Sequence, residues 1–258
     1  MTLTTGSAPL ASASTGGQSE HCARPVVPST VAAATGFWGA LLSAGCALLF
    51  AAGAVLAGLL YPDRAWQGLE HWAATYAPGA MYLTVLPSLF LTWAFVMLMA
   101  SVHVLAPEER KVLSLVGLSL AVLYAAILDA NYFLQLTFVR QQVLAGHAQA
   151  VGLLAMEDPQ SAFWAIEFLG YGLMCLATLA IAPLFAGWTR RMLLLNGAAG
   201  VLSLATPVLD LPLVAVIVGG AAWQVALPAA AILLARRFHH LAGPAEERPT
   251  RLPAAAPA

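Results

Sequence analysis

The chain has 258 residues, of which 60% are hydrophobic and only 9% are charged, whereas an ordinary soluble domain has about 25% charged residues. A water-soluble protein could not cover its surface with so few charges, and the mean hydropathy of +0.81 supports the same conclusion. The net charge of −1 provides no basic field for nucleic acid, so we expect no nucleic-acid partner.

Both ends of the chain differ in composition from its middle. Residues 1–34 are rich in Ser, Thr, Ala and Gly, and their first twenty positions contain no Lys or Arg. A secretory signal peptide needs a positive start followed directly by an apolar run, so we interpret 1–34 as a disordered tail. Residues 242–258 combine prolines with alanines and charges, and they form a second predicted tail.

Long apolar runs fill the region between the tails. A helix needs about 20 apolar residues to cross the hydrocarbon core of a bilayer. The last run, 192–235, is too long for one span, and Pro207 and Pro212 favour a chain reversal in its middle because proline interrupts helices. The sequence therefore predicts an all-α, polytopic transmembrane bundle over residues 35–241, with about six spans: 36–60, 80–105, 112–139, 161–187, 192–207 and 213–235.

The basic residues predict the orientation of these spans. Cytoplasmic loops carry an excess of Lys and Arg, and six spans with the N-terminus inside place most basic residues on one side. Only Arg64 and Arg140 then fall outside. We therefore expect an integral protein of a bacterial cytoplasmic membrane, with both termini in the cytoplasm and the lipid bilayer as a partner. The predicted cytoplasmic residues are Arg24, Arg110, Lys111, Arg190, Arg191, Arg236, Arg237, Arg248 and Arg251.

The predicted outer loops contain further helical signals. In the first loop, aromatic and apolar residues recur at helical spacing from Trp66 to Tyr76, which predicts a short helix in the membrane interface with Asp63 as its cap. In the second, Asp158 followed by Pro159 predicts the N-cap and first turn of the fourth span.

Small residues predict where helices pack closely. Helix association in lipid depends on close backbone approach, and Gly39 with Ser43, and Ala199 with Ser203, have the required spacing of four. The cysteines, by contrast, are three in number and widely spaced, so they predict neither a disulfide framework nor a zinc site. We expect no cofactor and no metal.

Few ionisable residues fall inside the predicted spans. Such a residue costs at least about 2.5–3.5 kcal/mol on insertion scales, so each is a candidate functional group. Asp129 lies in the third span, Glu167 in the fourth and Asp210 in the turn between the last two. The topology places all three carboxylates toward the extracytoplasmic side. His103, near the inner end of the second span, is interpreted as an interfacial histidine.

Helical spacing of about 100° per residue assigns these groups to faces. On the fourth span, Glu167 has Tyr171 one turn away as a possible hydrogen-bonding neighbour. On the third span, Asp129 falls with Phe133, opposite the face of Tyr124. The sequence predicts Glu167 and Asp129 as catalytic candidates and the following ligand-binding candidates: Asn131, Tyr132, Gln135, Trp164, Tyr171 and Asp210. For each acid the alternative is a structural bond between helices or, for Asp210, an exposed turn.

Two short patterns in this region carry a family resemblance. The segment from Asn131 contains N-Y-F-x-Q-x-T, and the segment from Glu167 contains E-x-x-G-Y-x-L-M. Residues 131–185, about a fifth of the chain, resemble a group of small bacterial membrane proteins that are uncharacterised. The resemblance implies a six-helix fold and no particular activity.

Three functional hypotheses remain open on the sequence alone. The first is a non-catalytic accessory or sensor component, in which the acids hold helices together. The second is a cyclase- or isomerase-type enzyme acting on a lipid or isoprenoid, with Glu167 as a protonated donor and Asp129 stabilising a cation. The third is a proton-coupled transporter of small molecules, for which a homo-oligomer could supply a second half. The last two imply a hydrophobic small-molecule ligand.

Overall fold

The computed structural model describes residues 30–209 and 211–242, and all regular elements in these two ranges are helical. Six helices are long and two are short. The long helices are α1 (Thr30–Leu60), α3 (Pro78–Leu105), α4 (Lys111–Leu134), α6 (Ala162–Ile181), α7 (Gly187–Val208) and α8 (Leu213–Ala242). The short helices are α2 (Leu69–Ala74) and α5 (Arg140–Leu144).

Five helical segments are long and apolar enough to cross a membrane by length and composition. They are built on α1, α3, α4, α6 and α8, and they indicate an integral membrane protein. The helix α7 is not among them, because its first turns carry Arg190 and Arg191 and its middle carries Asn196. α4 continues without a break through a π-helical turn, Gln135–Val139, into α5.

The helix ends differ from the predicted span limits in informative ways. α1 begins at Thr30 rather than 36, α7 begins at Gly187 rather than 192, and α8 continues to Ala242 rather than 235. The basic residues at these ends therefore lie on helices, which arginine tolerates well because its long stem can reach along the surface. Gly187 has a φ of 62°, a left-handed conformation that suits glycine at the reversal between α6 and α7. Asp210 lies outside the described residues.

The six long helices form a closed ring. Each packs against the next long helix along the chain, in the order α1, α3, α4, α6, α7 and α8, and α8 packs back against α1. Short connections make sequential neighbours antiparallel. The inward faces share one apolar cluster that contains large buried side chains such as Phe95, Tyr124, Tyr132 and Met174. The ring thus has an interior that several helices line together.

Small residues let the neighbouring helices approach closely. On α1, a Cβ atom added at Gly53 would lie 1.9 Å from the carbonyl oxygen of Leu83 on α3, and one added at Gly39 would also meet the backbone of α3. On α8, a Cβ atom added at Gly219 would lie 2.6 Å from the Oγ atom of Ser203 on α7. Both small-residue pairs predicted from sequence therefore lie at helix interfaces.

A small cap closes the end of the bundle opposite Thr30 and Ala242. It consists of α2, α5 and the 3-10 segment Ala148–Leu154, and we call this end of the bundle the cap end. The Trp72 ring of α2 is buried against an apolar cluster formed by Val139, Val143, Val151 and Ala155. The short helix predicted in the first loop is thus present and is folded onto the second loop.

Two predicted helix caps are wrong. α2 begins after Gly68, whose φ of 108° turns the chain there, and no side chain caps this helix; Asp63 lies in a separate 3-10 turn. α6 is capped by Ser161, whose Oγ atom accepts from the backbone N–H of Trp164 at 3.0 Å. Asp158 instead accepts from the backbone N–H of Gln160, which is a local turn that precedes the helix.

Candidate functional site

A chain of four oxygen atoms crosses the interior of the ring. The Tyr132 hydroxyl on α4 donates to Glu167 Oε1 on α6 at 3.2 Å, and it lies 2.9 Å from the Tyr171 hydroxyl. The Tyr171 hydroxyl donates to Ser88 Oγ on α3 at 3.1 Å. Three helices thereby contribute to one polar path.

The hydrogen bonds of this path can point in either of two directions. Each hydroxyl carries one proton, so if Tyr132 donates to Glu167 and Tyr171 donates to Ser88, no proton is left for the 2.9 Å link between the phenols. A protonated Glu167 donates to Tyr132 and completes all three links in one direction. An ionised Glu167 accepts from Tyr132, and the path then runs the other way from Ser88. The direction of the path is therefore tied to the proton on Glu167.

The sequence of α6 explains why Glu167 and its neighbours meet here. Glu167 and Tyr171 lie one turn apart, as their spacing predicts, and Gly170 between them lets α4 approach, since a Cβ atom there would lie 2.5 Å from Leu128. The predicted bond between Glu167 and Tyr171 is indirect, because the buried Tyr132 of α4 lies between them.

A cavity of about 300 Å³ adjoins this polar path. Its walls come from α1, α6, α7 and α8, and most of them are apolar. The Trp223 ring packs near two others, with its centroid 5.2 Å from the Tyr171 ring and 5.9 Å from the Phe50 ring. The lining residues are Phe50, Glu167, Phe168, Tyr171, Ser203, Gly220, Trp223 and Gln224.

Polar atoms without protein partners mark this region. Gln224 lines the cavity, and its Oε1 atom is buried with no hydrogen-bond partner. The Tyr124 hydroxyl is also buried without a partner, and its ring lies 6.1 Å from the ring of Tyr171. A buried polar atom without a partner costs about 1–3 kcal/mol. The protein thus leaves two polar atoms near this cavity without a hydrogen bond.

Asp129, the second predicted catalytic residue, lies elsewhere. Its Oδ1 atom accepts from the Thr92 hydroxyl at 2.6 Å, and its Oδ2 atom accepts from the Trp93 indole N–H at 2.9 Å. Both donors belong to α3, and Asp129 does not line the cavity. As predicted, Asp129 lies on the same side of α4 as Phe133, which is 65% exposed. This side is opposite the buried face of the helix. The structure thus separates the two acids.

Asn131 and Gln135, predicted as ligand-binding residues, hold the cap end together. The Asn131 amide donates to the backbone oxygen of Phe163 at 3.4 Å, and the Gln135 amide donates to the backbone oxygen of Leu154 at 2.5 Å. Both side chains are buried. Gln135 opens the π-helical turn, which shifts the following residues of the helix toward the cap.

The remaining predicted residues have different positions. The Trp164 ring stacks on the Phe168 ring with centroids 4.1 Å apart, so it lies one layer behind the cavity wall. Asp210 is outside the described residues. At the other end of the bundle, the His103 ring bonds to Ser114 Oγ at 3.0 Å, as expected for a histidine satisfied by a neighbour.

Six residues of the cavity wall were not among the predicted site residues: Phe50, Phe168, Ser203, Gly220, Trp223 and Gln224. The sequence interpretation relied on ionisable side chains, and the middle of α8 has none. The signal was available, because Trp223 and Gln224 are an indole and an amide side by side within the apolar middle of that helix. Polar side chains inside a membrane are as informative as charged ones when they have no visible partner.

A third acid, Glu157, lies in the cap rather than in a membrane span. Burial raises the pKa of its carboxyl, while the nearby Arg64 and a hydrogen bond from Trp72 act in the opposite direction. Burial also raises the pKa of Tyr76, and the charge of Glu157 adds to this effect. The carboxyl oxygen Oε2 of Glu157 has no hydrogen-bond partner. The cap therefore contains a carboxyl that its surroundings favour in the neutral form.

A metal site has no support in residues 30–209 and 211–242. No group of three or more His, Cys, Asp and Glu residues there could hold a metal ion. The salt bridge between Lys111 and Glu108 is surface-exposed and distant in sequence from the cavity residues.

Comparisons of the chain with protein-family models, with curated proteins and with solved structures found no match. The resemblance of residues 131–185 to small bacterial membrane proteins therefore stays a prediction. Any statement about function has to rest on the geometry of the ring interior.

Proposed function

We propose that this protein is a six-span protein of a bacterial cytoplasmic membrane that binds a small, largely apolar molecule in the ring cavity, with Glu167 as the polar anchor. The observation that carries the proposal is the cavity itself. It combines aromatic walls with one carboxyl group inside a helical membrane bundle.

The size and chemistry of the cavity support binding of a small molecule. Ligand sites are concave, mostly apolar and provided with a few well-placed polar groups, and their volumes begin at about 300 Å³. This cavity has about that volume. Tyr132 bonds to one oxygen of Glu167 among the described residues, and Gln224 adds an amide oxygen without a partner. Glu167 is the group of this wall that can anchor the polar end of a ligand.

The ring arrangement supports the count of six spans and their orientation. α7 packs between α6 and α8 in the same ring as the five apolar helices, so it crosses the bundle with them. An even number of spans places both termini on one side, and the excess of Lys and Arg assigns that side to the cytoplasm. The cap end and the cavity then belong to the extracytoplasmic half. A reporter fused after Ala258 that is active only in the periplasm would contradict this orientation.

The separation of the two acids favours ligand binding over a two-acid enzyme mechanism. Both oxygens of Asp129 accept hydrogen bonds from α3, and Asp129 is not part of the cavity wall. It is therefore poorly placed to stabilise a cation that forms on a substrate beside Glu167. A sensor or accessory subunit, by contrast, needs only one site that recognises its ligand.

Native mass spectrometry of the protein released from its own lipids tests the proposal. We expect a discrete bound molecule in the wild type and in Asp129→Asn, and its loss in Glu167→Gln while that variant remains folded. Asp129→Asn is the matched control, because it makes the same replacement of a carboxyl oxygen by an amide nitrogen at the other intramembrane carboxyl of the described residues. A molecule retained in Glu167→Gln, or absent from all three folded proteins, would overturn the proposal.

A further inference from the structure

We propose that the cavity selects a small organic cation, such as a quaternary ammonium group with apolar substituents, and that this cation binds in exchange for a proton on Glu167. The inference rests on the proposed ligand site and specifies the chemical class of its ligand. Three features carry it: the aromatic walls, the absence of a basic partner for Glu167, and the reversible direction of the hydroxyl path.

The aromatic walls suit a cation. The face of an aromatic ring carries negative charge density, and tryptophan attracts cations most strongly, by about 0.5–2 kcal/mol per contact. Trp223 contacts Phe50 and Tyr171, whose ring centroids lie 5.9 and 5.2 Å from its own, and Phe168 adds a fourth ring to the lining. Four aromatic rings and one carboxyl group thus line the same cavity, a combination that suits a positively charged, apolar group.

Glu167 has no positive partner in the described part of the chain. No Lys, Arg or His side chain there lies within 4.0 Å of it, since the salt bridge formed there joins Lys111 and Glu108. A carboxylate inside a membrane needs a proton or a counter-ion. Because the described residues supply no counter-ion, the charge of Glu167 is neutralised either by a proton or by a cationic ligand in the cavity.

The titratable groups around Glu167 add no positive charge. α4 contributes Tyr132, α6 contributes Tyr171, and the cap segment packed on α6 contributes Glu157, whose charge acts unfavourably on an ionised Glu167. Asp129 of α4 bonds to α3. The lining contributed by α1, α7 and α8 has no titratable side chain: Phe50, Ser203, Gly220, Trp223 and Gln224.

The exchange keeps the charge of the cavity constant. When the cation enters, Glu167 releases one proton to water and becomes a carboxylate that faces the cation. Tyr132 then donates to Glu167, Tyr171 donates to Tyr132, and Ser88 donates to Tyr171, so all three links survive the change. When the cation leaves, Glu167 takes up one proton and the path reverses. The hydroxyl path thus stabilises both charge states.

A pair of isosteric ligands tests the inference with the full-length protein. Benzyltrimethylammonium and neopentylbenzene have nearly the same shape, but the first has N⁺ where the second has carbon. Ligand-dependent stabilisation against thermal unfolding gives the two dissociation constants. We expect the cation to bind at least about tenfold more tightly, with an affinity that rises by about tenfold per pH unit while Glu167 is protonated.

Variants separate this inference from the proposed function. In Glu167→Gln, which keeps the size of the side chain, we expect the preference for the cation and its pH dependence to disappear. Trp223→Leu should weaken the cation more than the neutral isostere, whereas Trp93→Leu, an indole outside the cavity, should change neither. Equal binding of both ligands with no pH dependence would overturn the cation inference and leave the cavity as a ligand site. Binding of neither ligand by the folded wild type would overturn the cation inference as well.

Discussion

Two carboxyl groups lie inside this bundle, and their surroundings differ. Asp129 has one donor for each oxygen, the Thr92 hydroxyl and the Trp93 indole, both from α3. Glu167 has one tyrosine donor on one oxygen and faces a cavity of about 300 Å³. The protein satisfies both oxygens of Asp129, which therefore holds α3 and α4 together. Among the described residues, it donates a hydrogen bond to only one oxygen of Glu167, which is the arrangement expected of a binding group.

The difference shows why the depth of an acid in a membrane does not reveal its role. Both acids carry a similar insertion cost, and both are predicted in the same half of the bundle. Their roles diverge through the neighbours that the ring brings to each. For Asp129, a single adjacent helix provides every partner. For Glu167, partners and walls come from five helices: α1, α4, α6, α7 and α8.

Filling the cavity beside Glu167 should have the largest effect, a loss of ligand affinity. A Cβ atom at Gly220 would meet nothing within 4 Å, so the larger side chain of Gly220→Phe can enter the cavity without displacing a neighbour. We expect ligand affinity to fall more than about tenfold while stability is retained, because glycine in a helix is itself unfavourable by about 1 kcal/mol. The control is Gly45→Phe on α1, where a Cβ atom also meets nothing. Unchanged ligand affinity in Gly220→Phe would show that the ligand binds elsewhere.

Removing the Asp129 carboxyl should have an intermediate effect, a loss of stability with no change in ligand affinity. Asp129→Leu leaves the Trp93 indole without its acceptor, while Thr92 can still donate to the backbone oxygen of Leu89. Hydrogen bonds between membrane helices contribute about 0.6–2 kcal/mol, so we expect a loss of about 1 kcal/mol in the free energy of unfolding. Thermal unfolding in detergent measures this loss. A weakened ligand affinity in Asp129→Leu would show that the two acids act together.

Removing the Glu157 carboxyl should have the smallest effect, a change in how stability depends on pH. The raised pKa of Glu157 means that the folded protein binds a proton more tightly than the unfolded chain. Stability therefore falls as pH rises from the ordinary glutamate value of about 4.3 through the raised pKa, and it levels off above it. Glu157→Gln should flatten this fall, whereas Glu70→Gln, an exposed site on α2, should not. Thermal unfolding between about pH 4 and pH 8 compares the three, and parallel curves would contradict the assignment.

The sequence predicted the elements better than their arrangement. Apolar runs of about 20 residues identify membrane helices because bilayer thickness sets their length. Helical spacing also predicted that Glu167 and Tyr171 share one face, and that Asp129 lies opposite Tyr124. What it could not provide is the ring order, because lateral neighbours depend on contacts between helices distant in the chain. For that reason Tyr132, and not Tyr171, proved to be the direct partner of Glu167.

Local detail was hardest to predict where the backbone leaves regular helix. The positive φ of Gly68 and the π-helical turn at Gln135 both depend on packing in the cap. Asp158 has the chemistry of an N-cap, but Ser161 stands where α6 begins. Several residues of one segment can serve as caps, and tertiary contacts determine which of them does so.

The closure of the ring between α1 and α8 has a consequence for biosynthesis. Of the long helices described, α8 leaves the ribosome after the other five, and it provides Gly220, Trp223 and Gln224 to the cavity that Phe50 of α1 also lines. The cavity is therefore incomplete during translation until α8 has packed beside α1. A chain that stops short of α8 has every partner of Asp129 but lacks one wall of its pocket.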